Sequence, residues 1–297
     1  MLKNIAVFVL VVVLNLKGVM GQEEDQQSWK HVGSFHRAVA CSIDPAGNVY
    51  VLDAASSELV KFSFAGEELG RVGSFGWGEL AFDRPADVIA PNGLDVYVAD
   101  YGNHRIQRFD RNFNFVSTLA SKIDGNIENH FAYPKSVVIS ALGSLFFVDG
   151  DNKRIVKLDG PSKIERMFGG IEDGLGRLSS PSKIRMSESN TVYVQDGDKL
   201  VSFDQFGNYL RTVRSDTLRT LRSFTVDRKD LYLLSNAKVD VINENDFSER
   251  RTLLLTTTYE SDSSKLVDLG VLGDKIILLT EHDYVIVVKD SLIELTK

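Results

Sequence analysis

The chain reads as an all-β protein, a six-bladed β-propeller of four-stranded antiparallel blades whose ring is closed by an N-terminal strand. Three observations predict this. A short apolar run, ending in Asp in its clearest copies, recurs every 39 to 49 residues, a second strand-like run follows each copy, and six such units fill the chain after its first residues.

The recurring run is Val49-Tyr50-Val51-Leu52-Asp53, Val96-Tyr97-Val98-Ala99-Asp100, Leu145-Phe146-Phe147-Val148-Asp149 and Val192-Tyr193-Val194-Gln195-Asp196. Weaker copies are Leu231-Tyr232-Leu233-Leu234 and Ile276-Ile277-Leu278-Leu279, and the spacing is that of one propeller blade. The runs are apolar on both faces, which suits a strand sandwiched between neighbouring sheets, and their shortness and β-branched or aromatic content exclude a buried helix. Turns such as Asp44-Pro45-Ala46-Gly47-Asn48 and Pro91-Asn92-Gly93 precede them, where Gly and Asn accept the positive φ of tight hairpins. Each run is therefore the second strand of its blade. Third strands follow at Leu59–Phe62, Ile106–Phe109, Ile155–Leu158, Leu200–Phe203, Val239–Ile242 and Val285–Val288, closed by turns such as Asp159-Gly160-Pro161, and an outer fourth strand comes next.

The first residues read as an export signal: Lys3, an apolar run from Ile5 to Leu14, then small residues with cleavage expected after Gly21. The organisation is thus a signal peptide over 1–21, a polar leader over 22–27 and the propeller over 28–297, in a secreted or periplasmic protein. The apolar run falls short of the roughly 20 residues that cross a bilayer, and no later stretch supplies a membrane span. Gln22 rather than cysteine follows the cut, so no lipid anchor is expected. The only cysteine is Cys41, in a predicted innermost strand, so no disulfide is expected and the fold must rest on burial and hydrogen bonds. Removing the signal takes the formal charge from −7 to −9, and basic residues are dispersed among acidic ones, which argues against a nucleic-acid partner. An open last blade would expose pairing groups. Trp29-Lys30-His31-Val32-Gly33-Ser34-Phe35 is similar to Leu69-Gly70-Arg71-Val72-Gly73-Ser74-Phe75 at the end of blade one, so the N-terminal segment is expected to supply the closing strand, with Leu292–Leu295 as its competitor.

Val96 to Asp100 followed by Asn103-His104-Arg105-Ile106 resembles the NHL repeat, and Asp149 followed by Asn152-Lys153-Arg154-Ile155 is a second copy. The Gly-rich connectors ending in proline, Gly73 to Pro85 and Gly169 to Pro181, strengthen the resemblance, which covers residues 39 to about 210 and fades where Ser235 and Thr280 replace the Asp. It implies a six-bladed ring. Peptidyl-hydroxyglycine lyases are related six-bladed propellers that hold zinc on histidines near the channel. The RNA-binding role of some intracellular relatives does not carry over to this exported, acidic chain.

In this connectivity the hairpins between second and third strands, and the connectors between blades, open on one face, the top. Of the connectors Phe35 to Val39, Gly73 to Pro85, Asp124 to Pro134 and Gly169 to Pro181, three are long enough to be functional. The candidate ligand-binding residues there are Phe75, Trp77, Tyr101, His104, His130, Phe131, Tyr133, Arg154 and Arg177, since aromatics with arginine suit recognition of a protein, peptide or glycan. Packing between blades is the plainer reading for any one aromatic, and hairpin capping is the plainer reading for the repeated Asp, Asn and Arg residues. His36, His104, His130 and His282 fall in predicted top-face loops and are the candidate metal ligands of an alternative reading, a metal-dependent lyase or hydrolase, although a zinc site needs three converging donors and no local spacing supplies them. The reading preferred from sequence is a monomeric, non-enzymatic binding or scaffold propeller that needs no cofactor. A structural subunit of an envelope assembly is a further alternative.

Overall fold

The computed structural model describes residues 31–120, 130–159, 163–235, 238–254, 266–288 and 293–296. The expected signal peptide and leader lie outside the described residues, as do Trp29, Lys30 and residues 121–129 of the connector between blades two and three.

Six antiparallel sheets form the ring. Blade one is Ala38–Ile43, Val49–Asp53, Glu58–Phe62 and Glu68–Val72, and blade two is Pro85–Ile89, Asp95–Asp100, Arg105–Asp110 and Phe115–Ala120. Blade three is Pro134–Ile139, Leu145–Asp149, Arg154–Asp159 and Lys163–Phe168, and blade four is Pro181–Met186, Val192–Asp196, Lys199–Phe203 and Tyr209–Arg214. Blade five begins with Ser223–Asp227, Asp230–Leu234, Lys238–Asn243 and Asp246–Leu254, and blade six with Leu266–Leu272, Lys275–Thr280 and Tyr284–Val288. The recurring run occupies the second strand throughout, including the two blades where the motif fades.

The N-terminal strand, His31–Val32, pairs with Tyr284 and Val285 on the outer edge of blade six and closes the ring as expected. The C-terminal strand corrects one expectation. Ile293–Thr296 does not compete for blade six but pairs with Arg251 to Leu254, so blade five has five strands instead of four.

Apolar side chains gather into six clusters, each shared by two adjacent blades: Tyr50, Phe82 and Phe109 between blades one and two, for example, and Phe146, Phe168 and Phe203 between three and four. Because both faces of the second strands feed these clusters, the runs show no polar alternation, which is what the sequence displayed. Each fully buried large side chain contributes about 1.5 to 3 kcal/mol, so the cohesion of the ring lies in the contacts between blades.

The first strands carry charges that the periodicity did not single out. Arg185 of blade four makes a two-pronged ion pair with Asp87 of blade two, at 2.9 and 3.0 Å, and Ser136 of the intervening blade bonds the same carboxylate. Two residues along the same strand, Lys183 pairs with Asp268 of blade six, which also accepts from Ser223 at 2.5 Å and from the Cys41 N–H at 3.0 Å. Blade four is thus tied to blades two and six, neither of them its neighbour. Burial pushes the Asp87 carboxyl up, but the Arg185 charge and its hydrogen bonds outweigh this and hold it below the usual range. Burial, reinforced by the Asp268 charge, pushes the Cys41 thiol well up, which leaves it a structural thiol.

Candidate functional site

The connector from blade one to blade two shows how the top face is built. It starts at Gly73, where φ is +125° and an added Cβ would sit 2.3 Å from the Ser57 carbonyl oxygen. It is then clamped by blade two. Arg105 donates to the carbonyls of Trp77, Gly78 and Ala81 at 2.8 to 2.9 Å, while its Nε pairs with Asp100. Asn103 donates to the Gly76 carbonyl, and Asp100 accepts the Asp83 N–H. The Asn-x-Arg part of the repeat is therefore a loop clamp. Its consequence is that Phe75 and Trp77 stand 76% and 74% exposed on backbone that is fixed from below.

Beside them the hairpin of blade two meets the connector into blade three. Tyr101 and Tyr133 lie 5.1 Å apart, the His104 ring meets Tyr133 at 4.1 Å with the planes tilted by 60°, and the Arg84 guanidinium stands over Tyr101 at 5.4 Å. The Tyr133 N–H donates to His104 Nδ1 at 3.3 Å, which makes that nitrogen the acceptor and leaves Nε2 as the N–H. Four of the expected residues, Trp77, Tyr101, His104 and Tyr133, thus belong to one stretch of rim, with Phe75 on the same connector. Arg84 is a functional candidate that sequence reasoning missed. Its only signal was its place before Pro85, matching that of Tyr133 before Pro134, and both adopt positive φ.

The remaining candidates are placed differently. Phe131, expected on the rim, is fully buried and packs edge-on against Phe147 at 4.7 Å, so it is a core residue and leaves the candidate face. Arg154 donates to the His130 carbonyl and to Asp149, repeating the clamp of Arg105, so its guanidinium is engaged within the fold. His130 is half-buried and its carbonyl accepts both Arg154 and Asn152. Arg177 is exposed on the connector into blade four, where Ile171 and Leu175 are also exposed.

The histidines divide into two places. His36 faces Asp53 at 3.6 Å, and His282 meets the Phe35 carbonyl through Nδ1 at 3.2 Å, both at the junction of blades six and one. His104 and His130 belong to blades two and three. Among the described residues no three His, Cys, Asp or Glu side chains come together as metal donors. The buried first-strand carboxylates, Asp87 and Asp268, are already engaged by Arg185 and Lys183. The donor set described here does not fit a zinc centre.

The family model of the NHL repeat matches residues 82–109, the segment that holds the second and third strands of blade two with the Asp100 clamp. With six antiparallel sheets in a ring, five of four strands and one of five, the chain is a six-bladed propeller that carries an NHL repeat in blade two. Over 129 residues the chain is 28% identical to a probable peptidyl-α-hydroxyglycine α-amidating lyase of Caenorhabditis elegans; the match takes in 41% of this chain and spans only 37% of that protein's length. Among solved structures, a catalytically inactive virginiamycin B lyase from Staphylococcus aureus with quinupristin superposes with a TM-score of 0.64 over 91% of this chain and 99% of that one, at 11% identity. A streptogramin B lyase superposes with a TM-score of 0.63 over 88% and 97%, at 10% identity. At these identities the likeness is one of fold.

Proposed function

We propose that this is an exported binding propeller that grips a segment of a protein, peptide or glycan on the top rim between blades one and three. The observation that carries the reading is the pairing of two highly exposed aromatics, Phe75 and Trp77, with a loop backbone locked by Arg105 and Asn103. A rigid loop loses little entropy on binding, and large aromatic side chains dominate binding energy at interfaces. Tyr101, Tyr133 and Arg84 extend the same surface with two adjoining rings and a cation. Trp77→Ala leaves the melting temperature within about 2 °C of wild type while weakening capture of a binding partner about tenfold or more. Arg177→Ala tests whether the blade-four connector takes part. Full capture by both variants overturns the assignment of the face.

The similarity to the α-amidating lyase supports a second reading, a lyase acting on a peptidyl α-hydroxyglycine at the same face. Elemental analysis of the untagged protein purified without chelators discriminates the two. One equivalent of zinc or calcium that survives dialysis favours the lyase, and release of glyoxylate from a peptidyl α-hydroxyglycine establishes it.

A further inference from the structure

The turns that join first to second strands lie on the face opposite the rim. In blade one this turn runs from Asp44 to Asn48, with the Asp44 N–H donating to the Asn48 carbonyl at 3.0 Å and the Gly47 N–H returning to the Asp44 carbonyl at 2.9 Å. The buried Asp44 carboxylate accepts the Ala46 and Asn48 N–H groups, the Asn48 amide and the Tyr50 hydroxyl, so the acid is spent within its own blade. Blades three and four build the same backbone turn on serine: the Ser140 and Ser187 N–H groups donate to the Ser144 and Thr191 carbonyls at 2.9 and 3.0 Å. Each serine hydroxyl accepts the N–H four residues on, from Ser144 at 3.1 Å and from Thr191 at 3.3 Å. The fourth position has positive φ in all three turns, at Gly47, Gly143 and Asn190, so blade four adds an amide where the other two turns have no side chain. Its second position is Glu188, where blades one and three have Pro45 and Ala141.

Between the two serine turns lies a cleft of about 330 Å³. Ile139 and Met186, the last residues of their first strands, give it an aliphatic wall, and the buried Ser140 and Ser187 give it a polar one together with Glu188 and Asn190. Among the described residues no basic and no aromatic side chain lines it. The Glu188 N–H is anchored on the Arg228 carbonyl at 3.2 Å, while its carboxylate makes no ion pair with any described residue. We propose that this cleft binds a small aliphatic ammonium ion, its charge on the Glu188 carboxylate and its hydrocarbon body against Ile139 and Met186. An ammonium group brings three donors and no acceptor, which matches a carboxylate, an amide oxygen and serine oxygens. An anion would meet Glu188 with no compensating cation, and a flat ring would find no aromatic partner to stack on. The flexible thioether of Met186 adapts to an aliphatic chain, and the volume lies at the lower end of the range of small-molecule sites. The formal charge of −7 on the chain favours the approach of a cation.

The test uses isoamylamine, isoamyl alcohol and isovalerate, which share a branched body and differ in charge, titrated onto the full chain at low salt and followed by NMR of the backbone amides. Isoamylamine shifts the amides of Ala141, Gly143, Ser187 and Asn190, isoamyl alcohol binds about fivefold more weakly, and isovalerate shifts none of them. Glu188→Gln, at an exposed position, brings the amine down to the affinity of the alcohol, which separates the site from a general attraction of cations to an acidic chain. Ser140→Asn enlarges the side chain in the cleft wall without adding charge and weakens amine and alcohol alike. Trp77→Ala on the opposite face leaves the amine shifts intact, and Glu188→Gln leaves capture at the rim intact, so this site and the proposed rim fail separately. Equal binding of amine and alcohol to the wild type, amine affinity unchanged in Glu188→Gln or in a folded Ser140→Asn, or no shifts at these amides overturns the proposal; should Ser140→Asn not fold, the Glu188→Gln comparison decides it.

Discussion

In blade two the carboxylate that ends the second strand, Asp100, accepts the N–H of Asp83 in the incoming connector and holds Asn103 and Arg105 of its own hairpin. Asp53, Asp149 and Asp196 do the same for His36 and Arg37, for Ala132, and for Ser179 and Ser180. In blade five that position is Ser235, whose hydroxyl, among the described residues, reaches the Lys238 carbonyl at 3.3 Å and no other group. The connector is nonetheless anchored by a carboxylate: Asp240, on the third strand, accepts Thr217 of the connector at 2.8 Å, along with Thr252 and Lys238. Thr280 in blade six serves its own hairpin, accepting the N–H groups of His282 and Asp283. The requirement to tie connector to blade thus outlasts the motif that announces it. A fading repeat marks a change of device, not a loss of structure.

The comparison is broken most directly by removing both anchors in turn. Asp100→Ala leaves Arg105, 11% exposed, facing a vacated buried site, and is expected to cost about 3 to 5 kcal/mol in urea denaturation. Asp240→Ala is expected to cost about 2 to 4 kcal/mol, somewhat less because Lys238 and Arg250, about one-third exposed, regain water. If Asp240→Ala were silent, blade five would not depend on a carboxylate anchor and the equivalence would fail.

Acid separates the two anchors by sign. Burial pushes the Asp100 carboxyl up, and the bonds from Asn103, Arg105 and the Asp83 N–H do not fully offset it, so it sits above the ordinary value. Burial also pushes Asp240 up, but the bonds from Thr252, Lys238 and Thr217 prevail and hold it below. A lowered carboxyl contributes stability above its unfolded pKa of about 3.9 and loses it as pH falls through the folded value. A raised one contributes stability that is full below the unfolded value and lost as pH rises through the folded value. The penalty of Asp240→Asn therefore shrinks between pH 7 and about pH 3, and the penalty of Asp100→Asn grows over the same range. Parallel trends in the two variants would mean that the anchors are not differently poised.

The ring was legible because both faces of each second strand enter a core shared between blades, which forces the same apolar run into the chain six times. The rim was legible in part. Loop aromatics such as Trp77 and Tyr101 were found from their place in long connectors and hairpins, but composition does not distinguish Trp77, 74% exposed, from Phe131, fully buried, because the difference lies in what the neighbouring blade offers each ring. The tie across the ring was missed for a related reason. Asp87 and Arg185 stand 98 residues apart in the first strands of different blades, and only ring closure shows that they face each other. The one local hint was the charge itself, which first strands otherwise packed between blades have little reason to carry.

The smallest expected effect is also the sharpest check on the comparison. Ser235 is buried at the place where four blades carry the anchoring Asp, so a reading based on repeat position alone assigns Ser235→Ala a loss comparable to Asp100→Ala. The hydrogen bonds argue otherwise. The Ser235 hydroxyl makes one long bond to a neighbouring carbonyl, and the hairpin it closes also has the backbone bond from the Ser235 N–H to the same Lys238 oxygen at 3.0 Å. Removing the hydroxyl deletes a neutral bond and leaves the acceptor satisfied, so the expected cost is about 1 kcal/mol or less. A loss of about 3 kcal/mol at Ser235 would show that position in the repeat, and not the Asp240 substitute, carries the connector, and the two halves of the ring would then differ in composition without differing in design.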